Sequence, residues 1–286
     1  MADETTAMEF EADRSIGGKG SAEHQFAEAL RGIAVGPGGG IWAVGDSEVK
    51  VFNREGKLLR RWKTASPGHS VAVDDDGRVW VGEWEQVEIF DPTGEPIDIW
   101  KGAGRLGLVT AIGFGAEDVF LADASVRWIH RYDREGKFLN DIGDKHRKGG
   151  FHIPNGVVDF AVAADGILHV ANPGMHRVER YTAEGGLLGH FGRFDGRDPA
   201  GFPGCCNPTN VTLDGSGRVI VSEKAGPRAK VYDPEGNLLT VVSDDAFDPG
   251  AKNMDVATDS EGRIYVADTV RLEILVFAPK AGGGKG

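Results

Sequence analysis

The chain repeats one short turn motif five times along its length. An apolar pair, a polar turn ending in glycine and a second apolar run recur in VFNREGKLL, IFDPTGEPI, RYDREGKFL, RYTAEGGLL and VYDPEGNLL. The turn glycines, spaced roughly 40 to 50 residues apart, are Gly56, Gly94, Gly136, Gly185 and Gly236. Self-similarity at such a period indicates a fold assembled from copies of one supersecondary unit.

A second shared pattern lies upstream of the glycine turn and occurs six times. Representative copies are SVAVDDDGRVWVGE, NVTLDGSGRVIVSE and DVATDSEGRIYVAD. In the second repeat, apolar runs at 70–73, 78–81 and 87–90 are separated by turn residues, and a fourth run follows the glycine turn. Short runs of this kind, with no helical segment between them, predict units of four antiparallel strands. The 43 glycines of the chain agree with a fold that contains many tight turns.

Six four-stranded units of this length predict an all-β fold, a six-bladed β-propeller. A β-sandwich would not repeat one sequence unit six times. The sixth unit stops before its fourth strand, whereas EFEADRSIGG precedes the first inner strand as an unassigned segment. We therefore expect residues 9–16 to pair beside the strand at 273–277 and to close the ring, which removes an unpaired edge. The predicted organisation is a disordered N-terminus at 1–8, a single propeller at 9–278 and a flexible Gly-rich tail at 279–286.

The first unit, GIAVGPGGGIWAVGDSEVKVFNREGKLLRRW, resembles an NHL repeat, and the resemblance covers the chain from about residue 10 to 278. The preceding segment GGKGSAEHQFAEALRGIAV is similar, in degenerate form, to the Gly-rich Phe-x-x-Pro-x-Gly approach to the inner strand. The resemblance implies an NHL-type propeller. Such propellers and their relatives include lyases, calcium-dependent lactonases, RNA-binding modules and protein-binding sensor domains, so the fold alone does not select a function.

Equivalent positions of consecutive blades are neighbours around a propeller axis. The residues at the start of the six inner strands are Gly32, Ser70, Ala111, Asp159, Asn210 and Asp255. Asp159, Asn210 and Asp255 are adjacent, and their oxygens predict a site for a divalent cation such as Ca²⁺. The lactonases of related propellers are similar in using Asp and Asn from successive blades. The alternative is that these side chains cap the inner strands by bonding to the backbone of their own loops.

Blades four and five have longer loops at the end of the ring where the inner strands begin. The entering loops are KHRKGGFHIPNGVVD and RFDGRDPAGFPGCCNPTN, and NPGMHR and EKAGPR replace shorter loops such as DSEV. Long loops on a rigid scaffold are where binding residues concentrate. We therefore predict that the top face of blades four to six binds a small molecule or a protein. The ligand-binding candidates are Asn172, His176, Glu223, Lys224, Arg228, Cys205 and Cys206.

The two cysteines of the chain are adjacent, as Cys205 and Cys206. They can form a vicinal disulfide, or bind a soft metal such as Cu or Zn with His152 or His176 as a further ligand. They can also be packing residues, or include a nucleophile if a histidine lies within hydrogen-bond reach. No CxxC or HxxxH spacing encodes a local four-ligand zinc site.

Histidine and aromatic positions lead to three further expectations. His69 in SPGHSVAV resembles the zinc-ligand motif of peptidylglycine amidating lyases, but no other blade has a histidine at this position, so their three-histidine site cannot form. His130, His146 and His190 are expected to be solvated. The aromatic residues at one position of the second strand, Trp42, Trp80 and Phe120, are expected to pack between blades. Trp84 is a candidate exposed contact.

The net charge of −12 makes nucleic acid an unexpected partner, because affinity for phosphates comes from Lys and Arg. No apolar run is long enough to span a membrane. The start MADETTAMEFEADRS has no leader pattern, so a cytoplasmic location is expected as written, or an extracytoplasmic one if a leader was removed. The primary prediction is a ligand- or protein-binding module. The alternatives are a metal-dependent hydrolase or lyase with an ion at the channel mouth, and a redox or copper-handling protein that uses the cysteine pair.

Overall fold

The computed structural model of the chain describes residues 8–143, 149–243 and 245–280. Within these ranges, 24 β-strands form six antiparallel sheets of four strands each. Three single turns of 3₁₀ helix complete the regular structure, at Pro37–Gly39, Gly102–Gly104 and Pro173–Met175. The predicted all-β, six-bladed propeller is confirmed.

Each of the first five blades is formed by four strands that follow one another in the sequence. The first of these strands lies nearest the axis and the fourth is outermost. The first two blades consist of β2 (Gly32–Val35), β3 (Ile41–Gly45), β4 (Glu48–Phe52) and β5 (Leu58–Lys63), then β6 (Ser70–Val73), β7 (Val79–Gly82), β8 (Val87–Phe90) and β9 (Pro96–Trp100). The third and fourth consist of β10 (Val109–Phe114), β11 (Asp118–Asp123), β12 (Trp128–Asp133) and β13 (Phe138–Ile142), then β14 (Asp159–Val162), β15 (Leu168–Asn172), β16 (Arg177–Tyr181) and β17 (Leu187–Phe191). The fifth consists of β18 (Asn210–Leu213), β19 (Val219–Glu223), β20 (Arg228–Tyr232) and β21 (Leu238–Ser243).

The sixth blade closes the ring with a strand from the other end of the chain. It contains β22 (Val256–Thr258), β23 (Ile264–Asp268) and β24 (Glu273–Pro279), and its outermost strand is β1 (Phe10–Gly17). β1 and β24 pair antiparallel from Phe10 opposite Pro279 to Gly17 opposite Glu273. Ile16 is buried in this blade at 2% exposure. The predicted closure is therefore confirmed, and it covers the edge that β24 would otherwise expose.

The hydrophobic core consists of apolar layers between neighbouring blades. Trp42 packs with residues of blades one and two, and Trp80 packs with residues of blades two and three. Phe120 lies edge-on to Phe160 of the next blade, with ring centroids 6.4 Å apart. This confirms the packing role expected for the aromatic residues of the second strands.

The ring has two distinct faces. On the top face, loops enter the inner strands and join the second strand of each blade to the third. The bottom face carries the turns after the first and third strands, including the acidic turn at 74–76. No helical segment in the described ranges is long and apolar enough to cross a membrane.

Candidate functional site

Asp159 and Asp255 join neighbouring blades at the top of the inner strands. Asp159 Oδ2 accepts a hydrogen bond from the Val211 amide at 2.7 Å, and Asp255 Oδ2 accepts one from the Ile33 amide at 2.7 Å. Val211 and Ile33 belong to the next blade in each case, so the carboxylates cap the inner edge of a neighbouring strand. Asp255 also accepts a hydrogen bond from the amide of Val256 at 2.9 Å, within its own blade.

Neutral hydroxyl groups make comparable connections between other blades. Ser70 Oγ donates to the Val109 carbonyl at 3.2 Å, which joins blades two and three. Thr110 Oγ1 donates to the Val158 carbonyl at 2.7 Å, which joins blades three and four. Charge is therefore not required to join inner strands in this propeller.

The Asp159 and Asp255 carboxyl groups lie in an environment that disfavours ionisation. Burial raises the pKa of Asp159 well above its usual range, and repulsion from Asp255 raises it further. Hydrogen bonds to Asp159, including one from the Asn210 side chain, oppose this shift. Burial raises the pKa of Asp255 to about 6, although the amides of Ile33 and Val256 oppose the shift. Because the two groups interact, they titrate as a pair.

The structure brings the predicted metal residues together. Asn210 is 4% exposed, lies between Asp159 and Asp255 in blade order, and has a buried Oδ1 without a hydrogen-bond partner in the described part of the chain. The two carboxylates, however, already accept backbone hydrogen bonds. Within residues 8–143, 149–243 and 245–280, no group of three or more His, Cys, Asp and Glu side chains is arranged to bind a metal. A Ca²⁺ ion prefers six to eight oxygens, so water would have to supply most of its ligands.

The carboxylate pair lies at one end of a central channel of about 960 Å³. The walls are formed by the inner strands, with small side chains such as Ala72, Gly113 and Ala161. From the layer of Asp159 and Asp255, the lining continues to exposed turns of the bottom face. No described residue of the long top loops lines the channel, so its opening is on the bottom face.

An amide bridge connects two loops on the top face. Asn155 Nδ2 donates to Asn253 Oδ1 at 3.0 Å, and Asn253 Nδ2 donates to the Asn155 carbonyl at 3.3 Å. These residues precede Asp159 and Asp255 in the loops that enter blades four and six. The bridge therefore joins the loop that enters blade four to the loop that enters blade six, on either side of blade five.

Cys205 and Cys206 are bonded to each other in a vicinal disulfide. Cys205 is exposed, whereas Cys206 is 2% exposed. Asn207 anchors the loop because its Nδ2 donates to the carbonyls of Pro203 at 2.8 Å and Lys224 at 2.9 Å, while its Oδ1 accepts from the Lys224 amide at 2.9 Å. In the bonded state neither sulfur is a thiolate, so the pair does not offer ligands to Cu or Zn.

His176 holds the other part of the same loop. Its Nδ1 lies 3.1 Å from the Phe202 carbonyl, and its ring packs edge-on against Phe194 with centroids 5.0 Å apart. Phe194 is 64% exposed, the largest exposed fraction among the large apolar side chains in the described ranges. The loop therefore presents an aromatic ring to solvent from a fixed position.

The remaining ligand candidates divide into buried and accessible residues. Glu223 is 1% exposed and pairs with Arg228 at 2.5 Å and with the fully buried Lys230 at 2.7 Å. Asn172 is 3% exposed, and its Nδ2 donates to Glu179 at 3.1 Å. Asn172 and Glu223 are therefore buried beneath the top face and form hydrogen bonds and ion pairs with neighbouring side chains there.

Lys224 and Arg228 are partly exposed on the same face. Burial lowers the pKa of Lys224, and repulsion from Lys252 of the next loop lowers it further. Two lysines from the loops of blades five and six are thus close enough to repel each other. This gives the top face a local cationic area although the whole chain is acidic.

One expectation about histidines is wrong. His130 is 4% exposed, with Nδ1 2.6 Å from Asp141 and Nε2 3.5 Å from Asp123. The fourth strand of blade three covers the third strand here and supplies Asp141. His190 is exposed as expected, and His146 lies outside the described residues. Trp84 is 56% exposed, as expected, and its role as a contact residue stays a prediction.

Comparisons with known proteins support the fold. No known family profile matches the sequence. The protein Brain tumor of Drosophila melanogaster is 29% identical over 123 residues, which is 43% of this chain and 11% of the length of that protein. A structural genomics protein of unknown function from Bacteroides thetaiotaomicron superimposes with a TM-score of 0.72 at 17% identity, covering 96% of this chain and 76% of the other. The WD40 β-propeller domain of Doa1 gives a TM-score of 0.63 at 12% identity, covering 96% and 98%.

The sequence reasoning missed Phe194 and the Asn155–Asn253 bridge. Phe194 has a detectable signal, since it is an aromatic residue flanked by Gly, Arg and Asp in a long loop. The bridge joins residues 98 positions apart in two irregular loops. No local pattern identifies such a contact.

Proposed function

We propose that this chain is an NHL-type propeller that acts as a protein-binding module through the top face of blades four to six. The observation that carries the proposal is the exposure of Phe194 on a loop held by neighbouring side chains. Large apolar side chains on a soluble surface often mark interaction sites, and aromatic residues are enriched among those that dominate binding energy. The partial similarity to Brain tumor agrees with an NHL-type assignment.

Rigidity favours binding because less conformational entropy is lost when the partner associates. The loop is fixed by the disulfide at 205–206, by Asn207 against the Lys224 backbone, and by His176 against Phe202. In this proposal, the binding surface consists of Phe194 and His176 as aromatic contacts and Lys224 and Arg228 as cationic contacts, with Cys205 at its border. This combination fits a peptide segment that carries acidic and apolar residues.

Selection of a random displayed peptide library against the immobilised protein tests the proposal. We expect the selected peptides to contain acidic and apolar residues. Binding, measured by biolayer interferometry, should weaken roughly ten- to thirtyfold with Phe194→Ala, as for a central aromatic contact, and should also weaken with Lys224→Glu.

Leu188→Ala is the matched control, because Leu188 is 52% exposed but lies on the outer strand of blade four. Its affinity for the selected peptides should equal that of the wild type. Equal affinity in Phe194→Ala, Lys224→Glu and the wild type would reject the top face as the binding surface.

A further inference from the structure

The central channel has features of a second site that the top-face proposal does not use. It opens on the bottom face, has a volume of about 960 Å³, and has Asp159 and Asp255 in its wall at the inner end. No described residue of the long top-face loops lines the channel. A ligand in the channel would therefore enter from below and reach a carboxylate pair at the inner end.

The channel entrance is also acidic. Asp75, Glu117 and Asp165 line it from turns of blades two, three and four, and all three are exposed. None of them has a salt-bridge partner within 4.0 Å among the described residues. The fourth acidic residue at the entrance, Asp118, differs because it is paired with Arg131 at 3.0 Å. Like charges around one opening concentrate a cationic ligand there and accelerate its entry.

We propose that the central channel binds a linear organic amine, with one ammonium group at Asp159 and Asp255 and another at the acidic entrance. The two carboxylate layers are separated by the length of an inner strand, roughly 13 Å for four residues. An elongated ligand with a positive charge at each end matches this spacing, whereas a compact ligand reaches one layer only. The proposal is independent of peptide binding at the top face.

The chemistry of the inner end favours an ammonium group over a metal ion. A carboxylate has about four acceptor sites. Asp159 accepts hydrogen bonds from Val211, Phe160 and Asn210. Asp255 accepts them from Ile33 and Val256, so both carboxylates retain acceptor capacity toward the channel that they line. An ammonium group supplies three donors. A divalent ion would need more oxygen ligands than this layer provides.

Ionisation gives a further measurable consequence. Burial raises the pKa of both carboxyl groups, to about 6 for Asp255, and repulsion from Asp255 adds to the shift of Asp159. A cation between them favours the ionised forms, so binding should release protons. Release is expected to be largest near pH 6, where the free pair still holds a proton.

Titration calorimetry with spermidine, in two buffers of different ionisation enthalpy, tests the proposal. We expect saturable 1:1 binding with proton release near pH 6. Asp159→Asn should weaken binding roughly ten- to hundredfold, the effect of losing a charged hydrogen bond. Asp75→Lys should also weaken binding. Because Asp75 is an exposed turn residue, this variant is expected to fold even if Asp159→Asn does not, and the proposal can then still be tested.

Asp76→Lys is the control for the entrance. Asp76 is the next residue in the same turn and undergoes the same charge change, but it does not line the channel. Its affinity should stay within about twofold of the wild type, since only long-range screened charge effects remain. Equal weakening by the two lysine variants, or non-saturable binding without proton release, would mean that spermidine only screens the acidic surface and would overturn the proposal. An Asp159-dependent stabilisation by Ca²⁺ alone, with no saturable spermidine binding, would overturn the choice of an amine.

Discussion

Replacing Asp255 by Asn should alter how the stability of the propeller depends on pH. The folded protein raises the pKa of Asp255 to about 6 through burial, whereas an unfolded Asp titrates near 3.9. Between these values the native state binds more protons than the unfolded state. The free energy of unfolding therefore falls as pH rises through this window, and the loss is complete above about pH 6.

The size of this effect follows from the shift. Two pH units correspond to about 3 kcal/mol at 1.36 kcal/mol per unit. Asp255 is only half-buried and faces the channel, where solvent screening reduces the effect to about 1–2 kcal/mol. In the wild type, the two carboxylate oxygens of Asp255 accept hydrogen bonds from the Ile33 and Val256 amides. Asparagine has only one oxygen, so one amide loses its acceptor, and the free energy of unfolding falls by a further amount of about 1–2 kcal/mol at every pH.

Urea unfolding at pH 4 to 7.5, followed by tryptophan fluorescence, measures both quantities. The stability advantage of the wild type over Asp255→Asn should shrink by about 1–2 kcal/mol as pH rises from 4 to 7. Ser70→Ala is the control, because it removes an uncharged connection between blades in the same layer, and its stability difference should not change with pH. A difference for Asp255→Asn that is flat, or that grows with pH, would show that the buried carboxyl does not behave as inferred.

Three other outcomes can be measured with the same protein. Ile16→Ala, in the closing strand β1, should lower the free energy of unfolding by about 2–4 kcal/mol in urea titrations, because it leaves a cavity in blade six. A loss below about 1 kcal/mol would contradict the role of β1 in closing the ring. Burial opposes protonation of His130, but Asp123 and Asp141 outweigh this effect and raise the pKa of the imidazole. The stability advantage of the wild type over His130→Gln should therefore be full below about pH 6.5 and should decrease as pH rises above that value. Thiol titration of the unfolded protein should detect free thiols only after a reductant is added, since the two cysteines are bonded.

The fold could be predicted from the sequence because a propeller repeats its signals. Each blade must fill the same position in the ring, so one pattern of apolar runs and turn glycines recurs and reveals the number of blades. Counting strands then placed residues 9–16 beside β24, as observed. The same alignment brought Asp159, Asn210 and Asp255 into one layer, because equivalent positions in consecutive blades are neighbours.

Other features of the site depend on contacts that repetition does not specify. The sequence allowed Asp159 and Asp255 to cap their own loops, whereas each one also bonds to a strand of the next blade. The contact between Asn155 and Asn253 joins two irregular top loops that lie far apart in the sequence, and the repeat pattern does not specify it. His130 was expected in solvent because its strand is near the outside of the blade, but Asp141 and Phe138 of the fourth strand pack against it.

The carboxylate layer has an energetic cost that its structural role does not explain. Ser70 and Thr110 join blades two to four through neutral hydroxyl groups, so the propeller can connect inner strands without burying charge. The two carboxyl groups in this layer lower stability at neutral pH, because burial disfavours ionisation of both and Asp255 further disfavours ionisation of Asp159. Proteins commonly retain such locally unfavourable groups where they bind a ligand. A cation in the channel would convert the repulsion between Asp159 and Asp255 into attraction for the ligand, which accounts for charge at these positions where a hydroxyl would be sufficient for the fold.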